Sequence, residues 1–369
     1  MDQMGLLVIC GYILLGTALL SFVLSYFSRR WAIRFKALDI PKSPRKIHKE
    51  PVPLWGGLGI GLALITAVFV FGSDVTFLSS KISLWQIVGF ILGIIILCIG
   101  GMLDDKYDLK AWQSLIFPVL ASLVVVLTGT SIVHVTNPGT SAAFFLNWWV
   151  WHPFGSAWSL SLPSDLLTFI WILVAIFATK ITDGLDGLVS GITVIGAAMV
   201  GLLSVMKTYF QPESAILAAA VGGAYLGFLP KNMHPAKQFL GEGGATIAGF
   251  CLGFLAILSS AKIAIALAVL AIPVADVAFV FMRRIYNHKP WYQGDDTHLH
   301  FRLLAAGLPH RTIVFLLWIV SASAGVMALT FQTRGKIFLI IALALLTFLV
   351  SWLADKAIKR RQLIVSNHD

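Results

Sequence analysis

The amino-acid sequence predicts an all-α integral membrane protein, a polytopic bundle of about eleven transmembrane helices. Of its 369 residues, 58% are hydrophobic and only 12% are charged, whereas a soluble domain carries about 25% charged residues. The mean hydropathy is +0.87, and apolar runs recur along the whole chain. The hydrophobic core is therefore expected to be a helix bundle that lies in a lipid bilayer.

Each apolar run that is long enough to span a bilayer predicts one helix. The runs lie at 5–27, 54–72, 84–102, 112–129, 164–180, 187–206, 214–230, 244–260, 262–282, 312–331 and 336–354. Only Ala261 and Lys262 mark the turn between the eighth and ninth runs. The chain begins without the positive charge of a cleavable signal peptide, so the first helix is expected to be retained.

Lysine and arginine are distributed unevenly between the two ends of these helices. Alternate connecting segments, beginning with 28–53, hold 22 of the 27 basic residues. Because basic residues favour the cytoplasmic side of a membrane, the N-terminus is expected outside and the C-terminus in the cytoplasm. The same inner side collects the main acidic clusters. The outer segment 130–163 has no basic residue and is rich in tryptophan, which suggests that it lies at the membrane interface.

The chain is expected to form one domain, residues 1–369. It has no internal repeat, no low-complexity tract and no soluble-domain linker. The three cysteines lie in apolar runs and are too few for a disulfide framework or a zinc site. Functional residues are therefore sought in the inner segments of a single membrane domain.

The segment 178–188 carries charge between two long apolar runs. Asp183 and Asp186 are three residues apart, so on a helix they share a face, and Lys180 precedes them. The intervening glycines let a ligand approach the backbone closely. Charge at a membrane boundary is costly, so this cluster indicates a functional site. An ordinary hydrophilic loop is the alternative interpretation.

Two more inner segments place carboxylates at helix ends. Asp104 and Asp105 directly follow the third apolar run, where one carboxylate can meet a metal while the other acts as a base or orients a basic group. Glu242 lies between glycines at the start of the eighth run, beside backbone amides that favour phosphate. A solvated loop and a glycine-rich turn are the alternatives.

The remaining inner segments are basic or rich in histidine. Lys46 and His48 precede a Pro-x-Pro-x-x-Gly-Gly pattern, and basic groups beside a membrane can hold a phosphate-bearing head group. His298 and His300 share a side only in an extended segment, and beside Arg302 they suit phosphate better than a zinc site.

Carboxylates and cations on one face are typical of magnesium-dependent phosphoryl transfer. Mg²⁺ prefers carboxylate oxygens and substrate phosphates, and neighbouring cations stabilise the charge that transfer develops. The residues predict transfer between a soluble phosphorylated donor and a membrane lipid, without naming the donor. A transporter is disfavoured, because the acids lie on one face and no matching pair of broken helices is visible. Asp276 is expected to pair structurally with Arg283 or Arg284.

Three stretches in this order resemble the polyprenyl-phosphate N-acetylhexosamine-1-phosphate transferase family, glycosyltransferase family 4. They are Asp-Asp, Asp-Gly-Leu-Asp-Gly-Leu and Asp-x-x-His-Leu-His. The resemblance runs from about Leu38 to Gly307 and favours the WecA/TagO branch. It implies a bacterial inner-membrane enzyme that transfers a sugar-1-phosphate from a UDP-N-acetylhexosamine to undecaprenyl phosphate at the cytoplasmic face.

The resemblance also implies release of UMP and initiation of cell-envelope glycan synthesis. UDP-N-acetylglucosamine is the favoured donor. Mg²⁺ is the implied cofactor, with Mn²⁺ as a second candidate. No nucleic-acid partner is expected, and a homodimer stays open.

The acidic residues receive roles from this resemblance. Asp104 and Asp105 match the paired aspartates, one of which is proposed to activate or position the lipid phosphate, and both are taken as catalytic. Asp183 and Asp186 match an acidic motif linked to metal and nucleotide. Glu242 stands where the metal-binding aspartate is expected. Asp183 and Glu242 are therefore the expected metal ligands, and Asp186 is expected to bind substrate.

The other site residues are assigned in the same way. Asn232 and Phe239 match positions that contact the nucleoside in relatives. His298 and His300 match the histidines that engage the donor phosphates and are taken as catalytic. The expected substrate-binding set is completed by Lys46, His48, Arg283 and Arg302.

Four positions depart from the family pattern. The family usually has asparagine at Phe177 and Lys180, often a histidine at Phe301, and Asp-x-Gly-Ser at 242–245. Glu242 still suits Mg²⁺ but reaches one methylene further, and the Lys180 ammonium would repel the ion or partly replace it. The alternatives are a phospho-N-acetylmuramoyl-pentapeptide transferase and a non-catalytic relative that binds lipid phosphate or UDP-sugar.

Overall fold

The computed structural model describes residues 2–41, 50–72, 82–137, 142–151, 160–258, 263–288 and 297–366. The helices are α1 (Gln3–Arg34), α2 (Gly56–Gly72), α3 (Leu84–Tyr107), α4 (Ala111–Leu127), α5 (Leu162–Thr182), α6 (Leu188–Val205), α7 (Pro212–Asn232), α8 (Gly241–Ile257), α9 (Ile263–Val269), α10 (Ala271–Tyr286), α11 (Leu299–Ala305), α12 (His310–Thr330) and α13 (Thr333–Ser366). A 3₁₀ turn covers Lys207–Tyr209. The strands are β1 (Leu38–Asp39), β2 (Val52–Pro53), β3 (His134–Thr136), β4 (Ala143–Phe145), β5 (Val150–Trp151) and β6 (Leu160–Ser161).

The chain is a mostly helical, multi-pass membrane protein. Within the described ranges, seven helices are long and apolar enough to cross a bilayer, or up to eight when the bent pair α9 and α10 counts as one span. The shorter apolar helices α2, α4 and α8 lie at three further predicted positions. The total of eleven spans and the orientation of the termini stay predictions.

The predicted span 262–282 is not one straight helix. Helix α9 ends at Val269, and α10 leaves it at an angle of 70°. Pro273 lies four residues beyond Val269, where its ring would clash with the Val269 carbonyl of a continuous helix. In the first turn of a new helix the missing N–H of proline costs little. Pro273 therefore explains why the span is broken at Leu270.

Helix α8 lies at the centre of the bundle. Every residue of this helix except Glu242 is buried, and it packs against α2, α3 and α5. A Cβ at Gly57 or Gly101 would overlap the backbone of Gly243. Glycine is therefore required for the start of α2 and the end of α3 to touch the start of α8. This contact brings polar segments from three helices together.

The small antiparallel pairs lie in two places. Strands β1 and β2 pair Leu38 with Pro53, which closes the segment between α1 and α2. Between α4 and α5, β3 pairs with β4 and β5 with β6. This second region belongs to the segment 130–163, and its Trp148, Trp149 and Trp151 are exposed. Trp158 lies outside the described residues, and the position of the segment at a membrane interface stays a prediction.

Candidate active site

A polar cleft lies at one end of the bundle, where residues from five segments of the chain meet. Its volume is about 1170 Å³. The wall includes β1, β2 and the basic side chains of Lys36, Lys106 and Lys237. The predicted site residues that line the cleft are Asp104, Asp105, Asp183, Asp186, Asn232, Phe239 and Glu242. The fold thus brings together acidic segments that are far apart in sequence.

Asp105 joins the end of α3 to the starts of α2 and α8. Its Oδ1 accepts the backbone N–H of Glu242 at 2.9 Å, and the backbone N–H of Trp55 also donates to this carboxylate. Gly241 has a φ of +70°, and a Cβ there would overlap the Asp105 carboxylate. The neighbouring Asp104 lines the same cleft and lies within reach of the charges of Lys180 and Glu242.

Lys180 and Glu242 form an ion pair inside the cleft. The Nζ atom of Lys180, in the last turn of α5, lies 2.5 Å from Oε1 of Glu242. The same ammonium donates to Oγ of Ser114 at 2.8 Å, and Ser114 Oγ donates to Glu242 Oε1 at 3.2 Å. One carboxylate oxygen predicted to hold a metal is therefore already occupied by an ammonium and a hydroxyl group.

Asp183 directly follows α5 and faces the cleft. Burial, together with the negative charges of Glu242 and Asp186, raises the pKa of Asp183 to about 8. At neutral pH this carboxyl group therefore keeps its proton unless a cation comes close, because a neighbouring positive charge favours the ionised form.

The Asp186 carboxylate is held by His234, which stacks on a second histidine, His310. His234 Nδ1 lies 2.8 Å from Asp186 Oδ2, and the backbone N–H of Ala236 donates to the same oxygen at 3.1 Å. The rings of His234 and His310 stack at 4.1 Å with 20° between their planes. Possible ligand atoms of Asp186, His234 and His310 lie within 4.8 Å of one another.

The stack argues against a metal bound by these three residues. A metal bound to imidazole lies in the plane of the ring, and two nearly parallel rings 4.1 Å apart do not direct their lone pairs at one point. The hydrogen bonds orient Asp186 at the cleft wall instead. Arg311 stabilises this arrangement by donating to the His234 carbonyl at 2.9 and 3.2 Å.

Asn232 is buried and supports the loop after α5. Its Oδ1 accepts the Gly187 N–H at 3.2 Å and the Ser190 hydroxyl at 2.7 Å. Its Nδ2 donates to the Gln238 carbonyl at 3.3 Å. The side chain therefore ties the loop between α5 and α6 to the loop between α7 and α8. Phe239 lines the cleft beside this loop, and nucleoside contact by either residue stays a prediction.

The prediction that Asp276 pairs with Arg283 or Arg284 was wrong. Oδ2 of Asp276 instead lies 2.9 Å from Nδ1 of His298, and its Oδ1 accepts the Leu299 N–H at 2.9 Å. The kink before α10 places this carboxylate beside the start of α11. With Nδ1 beside a carboxylate, Nε2 is the other ring nitrogen of His298. Neither His298 nor His300 is among the described residues that line the cleft, so contact of either histidine with the donor stays a prediction.

His300 is buried against the loop that carries Asp183. A Cβ at Gly184 would overlap the imidazole of His300. Within the described part of the chain, Nε2 of His300 has no hydrogen-bond partner. Burial lowers the pKa of His300 to about 4, so the ring is neutral at physiological pH. It can donate or accept one hydrogen bond there, but it does not supply a positive charge.

The predicted substrate-binding arginines are engaged elsewhere. Arg302 is buried, and its Nη1 donates to Oδ2 of Asp355 in α13 at 3.3 Å. Arg283 Nη1 lies 3.8 Å from the same oxygen. Neither arginine is among the described residues that line the cleft. The geometry gives both a structural role in holding α10 and α11 to α13, and direct substrate contact stays a prediction.

Four residues that contact the predicted site residues were not predicted from the sequence, and some predicted residues lie outside the described ranges. Ser114, His234, His310 and Asp355 were not assigned, although both histidines fall in segments predicted to face the cytoplasm. Their spacing carries no motif, so only packing identifies them. The predicted residues Lys46 and His48 lie outside the described residues, as do Asp295 and Asp296 of the histidine motif.

The carboxylates of the cleft fit Mg²⁺ in chemical type. Asp183 and Glu242 offer the oxygen ligands that this ion prefers. The negative charges of Glu242 and Asp186 act on Asp183, so a cation in this part of the cleft would be attracted by several carboxylates. Lys180 already satisfies one oxygen of Glu242. Asp183 can therefore bind a divalent cation without displacing an ammonium. The Glu242 carboxylate would have to bind the cation while it also contacts the Lys180 ammonium.

Known proteins match this chain over most of its length. The sequence profile of glycosyl transferase family 4 matches residues 87–260. A phospho-N-acetylmuramoyl-pentapeptide-transferase of Moorella thermoacetica is 30% identical over 84% of this chain and 93% of its own length.

Two further relatives carry N-acetylglucosamine in their names. A probable undecaprenyl-phosphate N-acetylglucosaminyl 1-phosphate transferase of Bacillus subtilis is 28% identical over 90% of this chain and 87% of its own length. A decaprenyl-phosphate N-acetylglucosaminephosphotransferase of Mycolicibacterium smegmatis is 28% identical over 89% of this chain and 85% of its own length.

The apolar helices and these relatives together define a membrane-embedded transferase. The chain belongs to glycosyl transferase family 4, within its polyprenyl-phosphate hexosamine-phosphate transferases. The resemblance seen in the sequence motifs is confirmed.

Proposed function

We propose that this protein transfers N-acetylglucosamine-1-phosphate from UDP-N-acetylglucosamine to undecaprenyl phosphate and releases UMP. The main support is the cleft at one end of the apolar helix bundle, where Asp104, Asp105, Asp183 and Asp186 lie together. The names of two relatives support this donor and a polyprenyl acceptor. The reaction takes place at the cytoplasmic face of the bacterial inner membrane and initiates cell-envelope glycan synthesis.

The reaction exchanges one phosphorus–oxygen bond for another. An oxygen of the lipid phosphate attacks the phosphorus that bears the sugar. The bond from this phosphorus to the bridging oxygen breaks, and UMP leaves with that oxygen. The protein has little covalent chemistry to do, because positioning and charge stabilisation supply most of the catalysis.

The paired aspartates serve the acceptor. Asp104 lines the cleft with a carboxylate that is not required for the contact to α8, so it is the better candidate to take a proton from the lipid phosphate or to orient it. Asp105 fixes the start of α8 through the Glu242 N–H. Asp104 is thus the group that faces the substrate in this proposal, and Asp105 is the group that positions α8.

The two histidines have different roles, and His298 is the one proposed to serve the donor phosphates. Asp276 holds Nδ1 of His298, which leaves Nε2 to contact a phosphate oxygen. A carboxylate partner of this kind fixes the tautomer of a histidine and stabilises its protonated form. His300 is neutral and buried at the Asp183 loop, where it sets the position of that loop.

Mg²⁺, or Mn²⁺ in its place, would be held by Asp183 and Glu242. Such an ion supplies positive charge to the diphosphate of the donor. The negative charges of Glu242 and Asp186 beside Asp183 support this assignment, because they favour a cation in this part of the cleft.

Release of UMP by the purified protein is the test. The protein in detergent receives undecaprenyl phosphate and UDP-N-acetylglucosamine, with Mg²⁺ or with a chelator, and UMP and lipid product are measured together. Asp104→Asn is expected to reduce turnover at least about 100-fold. Asp108→Asn is the matched control, because Asp108 has a φ of 50°, a conformation that asparagine tolerates.

A different donor is the second candidate. The relative from Moorella thermoacetica favours a test with UDP-N-acetylmuramoyl-pentapeptide. Turnover with this donor alone would replace the proposed sugar and leave the reaction type unchanged. Binding of UDP-sugar without UMP from any donor, in protein that unfolds cooperatively, would instead favour a non-catalytic binding protein.

A further inference from the structure

The Lys180 ammonium lies where four helices meet in the cleft. Lys180 lies in the last turn of α5, Ser114 in the first turn of α4, and Glu242 in the first turn of α8. The three groups form a closed triangle with sides of 2.5, 2.8 and 3.2 Å. Asp104 of α3 lies within reach of both charges of the pair. The lysine is thus built into the acidic centre of the cleft.

The pair is largely withdrawn from water. The side chains of Lys180 and Glu242 are 24% and 15% exposed. Within the described residues, no second cation lies in ion-pair distance of Glu242. Without the ammonium, the negative charges of Glu242 and Asp104 would lose the positive charge of Lys180 that compensates them. Lys180 therefore supplies positive charge at the point where a divalent cation is expected.

We propose that Lys180 is a built-in counter-ion of Glu242, which weakens the binding of divalent cations at this carboxylate and itself stabilises negative charge during phosphoryl transfer. The first part concerns metal binding and does not depend on turnover. The second part rests on the proposed function. In that part, the ammonium of Lys180 touches the transferred phosphate, so Lys180 is a catalytic residue in this proposal.

Competition follows from the short distance between Nζ and Oε1. A divalent cation that approaches Glu242 meets an ammonium on the same oxygen, and like charges at this distance repel strongly in a partly buried site. The ion has to displace the ammonium from Oε1 and Ser114, or bind without full use of Glu242. In either case the affinity falls relative to a cleft without Lys180.

The first test measures Mn²⁺ binding to the full-length protein in detergent by electron paramagnetic resonance, without substrates. Lys180→Met removes the charge and keeps most of the length, and it is expected to tighten Mn²⁺ binding at least about tenfold. Lys180→Arg keeps the charge and is expected to bind as weakly as the wild type. Lys106→Met removes a different cleft lysine and controls for net charge, with an expected change of less than about threefold.

The gain in affinity has to depend on Glu242. In the double variant Lys180→Met, Glu242→Gln, the tighter binding is expected to disappear. Equal dissociation constants for wild type and Lys180→Met, or a gain that survives the loss of Glu242, would overturn the first part. Lys180→Gln, which retains a neutral donor for Ser114 and Glu242, decides the question if the methionine variant does not fold.

The second test follows UMP release against Mg²⁺ concentration. In Lys180→Met, half-maximal activity is expected at least about tenfold lower in Mg²⁺, with a maximal rate at least about tenfold lower. An unchanged maximal rate would overturn the second part. If wild type and every variant release no UMP, the proposed function fails, and the Mn²⁺ titration still decides the first part.

Discussion

The carboxylate of Asp276 lies 2.9 Å from Nδ1 of His298. Its other oxygen accepts the backbone N–H of Leu299, so one side chain of α10 fixes both the ring and the start of α11. The side chain of His298 is only 12% exposed and that of Asp276 only 5%. Removal of the Asp276 carboxylate is therefore expected to change the orientation of the His298 ring, which is proposed to contact the donor, and the backbone at the start of α11.

Asp276→Asn is expected to reduce kcat roughly 10–100-fold, because an amide does not stabilise a protonated imidazole and leaves the tautomer of His298 unspecified. The measurement is kcat for UMP release. A variant with unchanged kcat would show that the contact is only structural.

Asp105→Ala and Asp105→Asn are expected to differ. Alanine leaves the buried N–H of Glu242 without its acceptor, which costs about 1–3 kcal/mol, whereas asparagine keeps an acceptor oxygen. Thermal unfolding in detergent measures the difference. If the two variants unfold at the same temperature, Asp105 does not hold the start of α8.

Asp183 is expected to make stability depend on pH. Its pKa in the folded state, about 8, lies above the value of about 3.9 in an unfolded chain. Between these values the folded protein binds one more proton, so the free energy of unfolding falls as pH rises. Asp183→Asn removes this titrating group. Its free energy of unfolding, relative to that of the wild type, is therefore expected to rise as the pH is raised from 5 to 8.5 in the presence of a chelator.

Addition of Mg²⁺ is the control for Asp183. If the ion replaces the proton on this carboxyl group, saturating Mg²⁺ stabilises wild type at pH 8.5 more than it stabilises Asp183→Asn. Equal stabilisation of both proteins would place the bound ion elsewhere.

Gly184→Ala is expected to displace His300. The new Cβ would overlap the imidazole, so the loop that carries Asp183 has to move, and turnover is expected to fall at least about tenfold. Gly201→Ala is the matched control, because its Cβ would meet only Ala218 Cβ at 3.6 Å, an ordinary contact between α6 and α7. A helical Gly→Ala change of this kind is expected to stabilise by up to about 1 kcal/mol.

The helices and acidic segments could be predicted because each rests on local composition. An apolar run has to match the thickness of a bilayer, and the carboxylates interrupt such runs at their ends. The break at Leu270 was not predicted, although Pro273 is visible in the sequence. A proline inside an apolar run is compatible with a kink as well as with two separate helices, and packing decides between them.

Partners between segments could not be predicted. Asp276 has basic residues close by in sequence, and yet its partner is His298, because α10 turns by 70° from α9. Asn232 matched a ligand-contact position, but its polar atoms bind Gly187, Ser190 and Gln238. Which side chain meets which depends on the relative placement of helices, and no local pattern encodes that.

The bond from Arg302 to Asp355 has a consequence for how the protein is made. Asp355 lies in α13, whereas Arg302 follows His298 and His300 in α11. During synthesis this contact can form only after α13 has been made, because Asp355 lies 53 residues beyond Arg302. A chain terminated before α13 is therefore expected to leave α11 without its anchor.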